Sequence, residues 1–251
     1  MKKNIEYKNK ELANYLIKHR STWDSLYKSE KYILEKAKIK DTDTILDIGC
    51  GVGLIARGLK EKYNIRAYTG IEMSKPVYES AIRLNPQDQF LYGDFLDISK
   101  TDIINKTYDL VFSLSCFDWN VKFDEMLVSG WQHVAEGGSL IATFRLVDGA
   151  GYQDMNISYQ NITYEGKFTG ERAPYSVFNA KELLNKLYTF SPSSITAYGY
   201  YGSPSPTAIT PYNEICFSTF LIKKGPIKND LDKKLKLDLP TKILSILDYL
   251  K

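Results

Sequence analysis

Asp47, Glu72 and Asp94 are the residues whose type and spacing point most directly to chemistry. Asp47 stands in the run Leu46-Asp47-Ile48-Gly49-Cys50-Gly51-Val52-Gly53. Its alternating glycines permit positive φ and let a ligand lie against bare backbone. A dinucleotide-binding turn wants glycine first, third and sixth, so that a pyrophosphate rests on the following helix. Counted from Gly49, the sixth position is Leu54, and a carboxylate at Asp47 would repel a pyrophosphate. The run suits a ligand with a cationic amino-acid end and no phosphate. Glu72, 19 residues beyond Gly53, can accept from both hydroxyls of a ribose. Asp94 can accept from an adenine amino group while its neighbour Phe95 covers the ring.

The elements around these residues follow from periodicity. Thr44 to Ile48 is a short apolar run ending at the glycines, and Leu54 to Lys60 then reads as helix. Strands are expected again at Ala67–Glu72, Gln89–Asp94, Tyr108–Ser113 and Ser139–Arg145, with helices over 75–84 and 122–135. This alternation predicts a parallel sheet covered on both faces. Ile195–Tyr201 and Cys216–Ile222 read as a strand pair. The segment between them holds three prolines, which leaves no room for a crossover helix, so the pair is expected to be antiparallel. Apolar residues at spacings of three and four make 10–38 helical, with a break at Ser21-Thr22.

With Gly70-Ile71-Glu72-Met73-Ser74, Gly93-Asp94-Phe95, Tyr108-Asp109-Leu110-Val111 and Gly137-Gly138 following the glycine turn in order, the chain resembles the class I S-adenosylmethionine-dependent methyltransferases over roughly residues 40–145. The resemblance implies an α/β, Rossmann-like sheet of seven strands, mostly parallel, with helices on both faces and an antiparallel last strand between the fifth and sixth. It implies S-adenosyl-L-methionine as cofactor and S-adenosyl-L-homocysteine as product. Gly49 and Gly51 would approach the methionine moiety, Glu72 would hold the ribose, Met73 would pack on adenine, and Asp94 and Phe95 would flank the base. Asp47, Cys50, Gly53 and Ser113 complete the expected cofactor set.

The family places methyl transfer at the end of the fourth strand, here Ser113-Leu114-Ser115-Cys116-Phe117-Asp118-Trp119-Asn120. The Asn/Asp-Pro-Pro-Tyr motif of the amide- and base-modifying branches is absent, as is a Pro-Cys nucleophile, so Cys116 is expected to be a packed thiol. Phe117 and Trp119 are expected as walls of an acceptor site, with Arg145 at its rim, Tyr175 from a long insertion and Tyr212 before the last strand. In family members an N-terminal segment often folds over the cofactor; here it would bring Tyr15, His19, Arg20 and Trp23. His19 and Asp118 are the catalytic candidates, His19 as the base an oxygen acceptor needs.

Composition bounds the rest. The 251 residues are 43% hydrophobic and 25% charged, with 33 Lys+Arg against 30 Asp+Glu. Eight lysines and four aspartates fall in residues 223–251, which leaves the body near neutral and disfavours nucleic acid as partner. No apolar run approaches a membrane span, and the N-terminus lacks the apolar region of a secretory signal. Three scattered cysteines and two histidines argue against disulfides and a metal site. The chain is expected to be cytoplasmic. It divides into a helical lid (1–40), a core (41–224) with an insertion at about 147–178, and a basic tail (225–251) ending in a short amphipathic helix. The function expected is transfer of a methyl group to O or N of a small polar metabolite or sugar. The alternative is a catalytically inactive cofactor-binding or regulatory subunit, and apolar tail residues leave a homodimer open.

Overall fold

The structure is a computed structural model that describes residues 4, 6–7, 11–101, 107–162, 170–226 and 234–247. In chain order the elements are α1 (Glu11–His19), α2 (Lys28–Lys36), β1 (Thr44–Ile48), α3 (Leu54–Tyr63), β2 (Ala67–Glu72), α4 (Lys75–Leu84), β3 (Gln89–Tyr92), α5 (Phe95–Ile98), β4 (Tyr108–Ser113), α6 (Phe123–Gln132), β5 (Val134–Val147), β6 (Tyr159–Ile162), β7 (Glu171–Pro174), β8 (Phe178–Asn179), α7 (Ala180–Tyr188), β9 (Ser194–Gly202), β10 (Ala208–Ile209), β11 (Ile215–Lys223), β12 (Lys234–Asp238) and α8 (Thr241–Ser245). Single 3-10 turns lie at Trp23–Ser25 and Phe117–Trp119.

The central strands are buried on both faces, which is why β1 and β4 read as continuous apolar runs rather than alternating ones. The main sheet runs β12-β9-β11-β5-β4-β1-β2-β3, with β8 beside β5. β11 is antiparallel to both β5 and β9, and the other pairings in this sheet are parallel. The reversed strand therefore lies where the resemblance put it. Asp109 locks the start of the sheet: its carboxylate accepts from the N–H and the hydroxyl of Thr44 at 2.9 and 2.8 Å.

The seven expected strands are β9, β11, β5, β4, β1, β2 and β3, and the sheet carries two more. One addition is the short β8. The other is β12, Lys234-Leu235-Lys236-Leu237-Asp238, which extends the sheet beside β9. Its lysines guard an exposed edge. Beyond it Leu239, Ile243 and Leu247 join the main core, so this part of the tail is built into the fold; Leu250 lies outside the described residues. The insertion also has structure: β6 and β7 pair with each other, and β10, from the loop before β11, pairs with β6.

The N-terminal region breaks at Ser21-Thr22 as expected, but its two helices do different work. Ile33 and Leu34 of α2 are fully buried in the cluster that holds Ile45, Leu59 and Phe112, so α2 belongs to the core and not to a lid. The cover is α1 and the turn after it. Ala13 packs with Val52 and Val77, and Leu12, Leu16 and Ile17 surround them. Arg20 ties the two helices together. It donates from Nη1 and Nη2 to the Glu30 carboxylate, both at 3.0 Å, and Glu30 also accepts the Tyr27 N–H at 2.7 Å. A fully buried acid needs such bidentate pairing. Among the described residues no helix is long and apolar enough to cross a membrane.

Candidate functional site

Gly49, Gly51 and Gly53 all take positive φ, at 72°, 57° and 77°. At Gly49 a Cβ would fall 2.5 Å from Cys116 Sγ, so the end of β4 closes directly onto the turn. At Gly51 a Cβ would meet only Leu16 of α1, at 3.8 Å, so this peptide faces open space beneath the cover. The N–H groups of Gly49 and Cys50 donate to Ile71 O at 2.9 and 3.0 Å, fastening the turn to the end of β2. Asn85 pins it from the far side, donating to Val52 O at 3.1 Å.

Glu72 holds the centre. Its Oε2 accepts the Gly51 N–H at 3.1 Å and its Oε1 accepts the Ser74 N–H at 2.8 Å. A carboxylate offers about four lone-pair sites, which leaves capacity for two ribose hydroxyls. Burial pushes Glu72 up to about 7, against the pull of these backbone donors. Asp47 is buried at 2% exposure, and its Oδ2 accepts from Tyr68 OH at 2.6 Å. Burial likewise raises Asp47 to about 6, with Tyr68 opposing. Asp94 caps α5 through Leu96 N–H and accepts from Asn4 Nδ2, both at 3.0 Å.

These groups border one cavity of about 870 Å³, near the upper end of ordinary ligand pockets. Met73, Asp94 and Phe95 line it beside Glu72, and Cys50 lies at the turn. Its other end is bordered by Trp119, Arg145, Tyr175 and the loop after β9. There Asp118 and Arg145 form a buried ion pair: Arg145 Nε and Nη2 reach Asp118 Oδ2 at 2.8 and 2.7 Å, and Nη2 also donates to Asp118 O at 2.9 Å. The guanidinium lies 3.8 Å from the Tyr175 ring centroid and 4.6 Å from that of Trp119. Tyr15, His19 and Arg20 line the cavity from the cover, with His19 exposed and its ring 4.6 Å from that of Tyr15.

Five expected site residues stand elsewhere. Gly53 is the N-cap of α3 and packs against the Asn85 amide. Ser113 is fully buried, its hydroxyl accepting the Phe117 N–H at 3.1 Å. Phe117 points into the main core, against Gly130 of α6. Trp23 packs on Gly58 of α3 under the Lys62 ammonium. Tyr212 donates to Ala150 O and stacks toward Tyr152, outside the cavity. Asp118, expected as a catalytic group, is held in the structure by Arg145 through Oδ2, while its Oδ1 has no hydrogen-bond partner. Burial raises its pKa and Arg145 lowers it, burial being the larger effect. Burial raises the Cys116 pKa, and the half-buried thiol, expected to be packed away, borders the cavity.

Sequence reasoning missed Tyr7 and Asn4. Tyr7 lines the cavity and its carbonyl accepts from Ser74 Oγ at 2.8 Å. Asn4 touches Asp94 and Met126. Neither sits in a periodic or motif-bearing stretch, so the sequence carried no signal for them.

The site fits S-adenosylmethionine on its own features. Bare backbone faces the cavity at Gly51, a carboxylate with spare acceptor capacity stands beside it, and an acid and a ring follow at Asp94 and Phe95. The same features disfavour a dinucleotide: no cation borders the glycine turn among the described residues that line it, and Asp47 does. Fold and cavity together define a Rossmann-like protein built for a nucleoside with a cationic amino-acid end.

Known proteins agree. Residues 46–140 match the family model described as a methyltransferase domain. Sterol 24-C-methyltransferase of Kluyveromyces lactis is 28% identical over 176 residues, covering 65% of this chain and 44% of that protein. Malonyl-[acyl-carrier protein] O-methyltransferase of Priestia megaterium is 26% identical over 142 residues, covering 55% and 50%. The chain thus spans about half the length of these curated relatives. A solved S-adenosylmethionine-dependent methyltransferase from Clostridium acetobutylicum shares the fold, with TM-score 0.52 and 16% identity over 86% of this chain and 97% of that one. In sequence over residues 46–140 and in fold, the chain is similar to S-adenosylmethionine-dependent methyltransferases.

Proposed function

We propose that the protein binds S-adenosylmethionine and transfers its methyl group to O or N of a small-molecule acceptor. The observation that carries this is the continuity of the cavity, which runs from Gly51, Glu72 and Asp94 at one end to Trp119, Arg145 and Tyr175 at the other. Cofactor and acceptor can share it. When bound, the cofactor supplies an electrophilic methyl carbon on a sulfonium. The chain's own work is placement: Glu72 fixes the ribose, Asp94 and Phe95 hold the base, and α1 screens the cavity from water. Much of the rate of such a displacement comes from positioning.

His19 is proposed as the group that takes the proton of a hydroxyl acceptor, because it lines the cavity and forms no ion pair among the described residues. An amine acceptor would need only to arrive deprotonated. Asp118 is proposed to position Arg145, and through it Trp119 and Tyr175. Cytoplasmic placement and a small acceptor remain part of the proposal. The sugar-like acceptor expected from sequence is the weaker version, since rings dominate the acceptor wall.

The commitment of Asp118 to Arg145 favours one second reading, a cofactor-binding partner without turnover. Release of S-adenosylhomocysteine from S-adenosylmethionine over a panel of small alcohols, phenols and amines separates the two. Turnover of any acceptor that is lost in His19→Ala supports the enzyme. Tight cofactor binding with no turnover across the panel supports the partner.

A further inference from the structure

The acceptor end of the cavity has a balanced charge. Among the described residues that line the whole cavity, the basic side chains are His19, Arg20 and Arg145. Arg20 is spent on Glu30, and its guanidinium lies over the Tyr27 ring at 4.4 Å. Arg145 is charge-paired with Asp118, both residues being 3% exposed, through Nε, Nη2 and Oδ2, while Arg145 Nη1 and Asp118 Oδ1 have no hydrogen-bond partner. Around that neutral pair the wall is made of rings, Trp119, Tyr175, Tyr200 and Phe217, and of uncharged hydrogen-bonding groups from the loop after β9. That loop is held in place: Ser205 donates its N–H to Tyr175 OH at 3.2 Å and accepts from Gln160 Nε2 at 2.9 Å, while Thr207 O accepts the Asn161 N–H at 3.1 Å. Of the small sheet of β6, β7 and β10, the residues that line the cavity are Gln160 and Ile162, both uncharged, while the charged Glu171 and Arg172 of β7 are not among its lining.

Among the described residues, an anion entering here would leave water and find both arginines already paired with carboxylates, with only the His19 imidazole of the cover unpaired. Burying a charge without a partner is costly, and the Arg145 charge is already neutralised. From this we infer that the acceptor enters uncharged, as a ring-bearing or otherwise apolar molecule with a neutral hydroxyl or free amine, and that the site rejects acceptors carrying a phosphate or carboxylate. The Asp118–Arg145 pair is the device: Asp118 silences an arginine that would otherwise recruit anions. The inference rests on the methyltransferase reading and deepens it.

The test uses the full chain saturated with S-adenosylhomocysteine, whose own binding is measured first; if that fails, the cofactor reading fails and not this one. Matched alcohol and carboxylate probes on phenyl, naphthyl and cyclohexyl bodies are then titrated by calorimetry. At least one alcohol is expected to bind about tenfold or more tightly than its carboxylate, while Asp118→Asn, which unmasks Arg145, improves carboxylate binding by about tenfold. Should that variant not fold, Arg145→Gln is expected to shift preference toward the matching ammonium probe, the Asp118 charge now being unmasked. Carboxylates binding the parent as well as alcohols, no alcohol binding at all, or a variant that folds without shifting the preference overturns the inference.

Discussion

The backbone N–H of Gly51 donates to the Glu72 carboxylate at 3.1 Å, joining two motifs that lie 21 residues apart in sequence. The turn after β1 and the end of β2 are therefore one site, and the acid is fixed before any ligand arrives. Glu72→Ala is expected to weaken S-adenosylhomocysteine binding by about 1.5–3 kcal/mol, the scale for hydrogen bonds to a charged group. Calorimetry checks it, and an unchanged dissociation constant would show that Glu72 does not hold the ribose.

Burial raises Glu72 to about 7 and Asp47 to about 6. An acid whose folded pKa lies above its unfolded value binds its proton more tightly when folded, so its ionisation costs stability above the folded pKa. That cost is relieved as pH falls toward the unfolded value, roughly 4. The ligand-free protein is therefore expected to gain stability from these two groups between pH 7 and about 5, read from urea midpoints. Cofactor binding should move the other way, since ribose hydroxyls donate to the ionised form. Affinity is expected to drop below a pH of about 7, and Glu72→Gln to flatten that dependence.

Tyr68 serves Asp47 by a 2.6 Å hydrogen bond inside the core. Tyr68→Phe removes the donor and leaves a buried carboxylate short of a partner. A loss of about 1–3 kcal/mol of stability is expected from chemical denaturation. If stability is unchanged, Asp47 is satisfied in some other way.

The sequence made the cofactor half of the site legible because its chemistry sits at strand ends next to glycines that only a tight turn explains. The β9–β11 pair was legible for a similar reason, since prolines between them forbid a crossover helix. Facing direction was not. Ser113 and Phe117 lie in the right segment, yet one turns into the core and the other under α6. Amphipathic spacing locates α1 and α2 but does not name the partner each face meets, so from sequence α2 reads as cover although its apolar face packs into the core. In β12 the alternation Lys-Leu-Lys-Leu-Asp was present, and the density of lysines hid it. β6, β7 and β10 are too short to show a period.

Arg20 neutralises a fully buried acid in Glu30. Arg20→Met is expected to cost about 3–5 kcal/mol, the scale for leaving a buried charge unpaired, and Arg20→Met with Glu30→Gln to recover much of it. Thermal unfolding of the three proteins decides. A single variant as stable as the parent would mean the pair is not what joins α1 to α2.

The central claim is that residues 47–95 hold a nucleoside with a cationic amino-acid end. Its most direct test is a calorimetric titration of the unmodified protein with S-adenosylhomocysteine, set beside one with a nicotinamide dinucleotide. Saturable one-to-one binding of the former and none of the latter is the expected result, because the Asp47 carboxylate beside the turn disfavours a pyrophosphate and the sixth position of the turn is Leu54 rather than glycine. Absence of heat and of any thermal shift with S-adenosylhomocysteine, or equal binding of the dinucleotide, would contradict it.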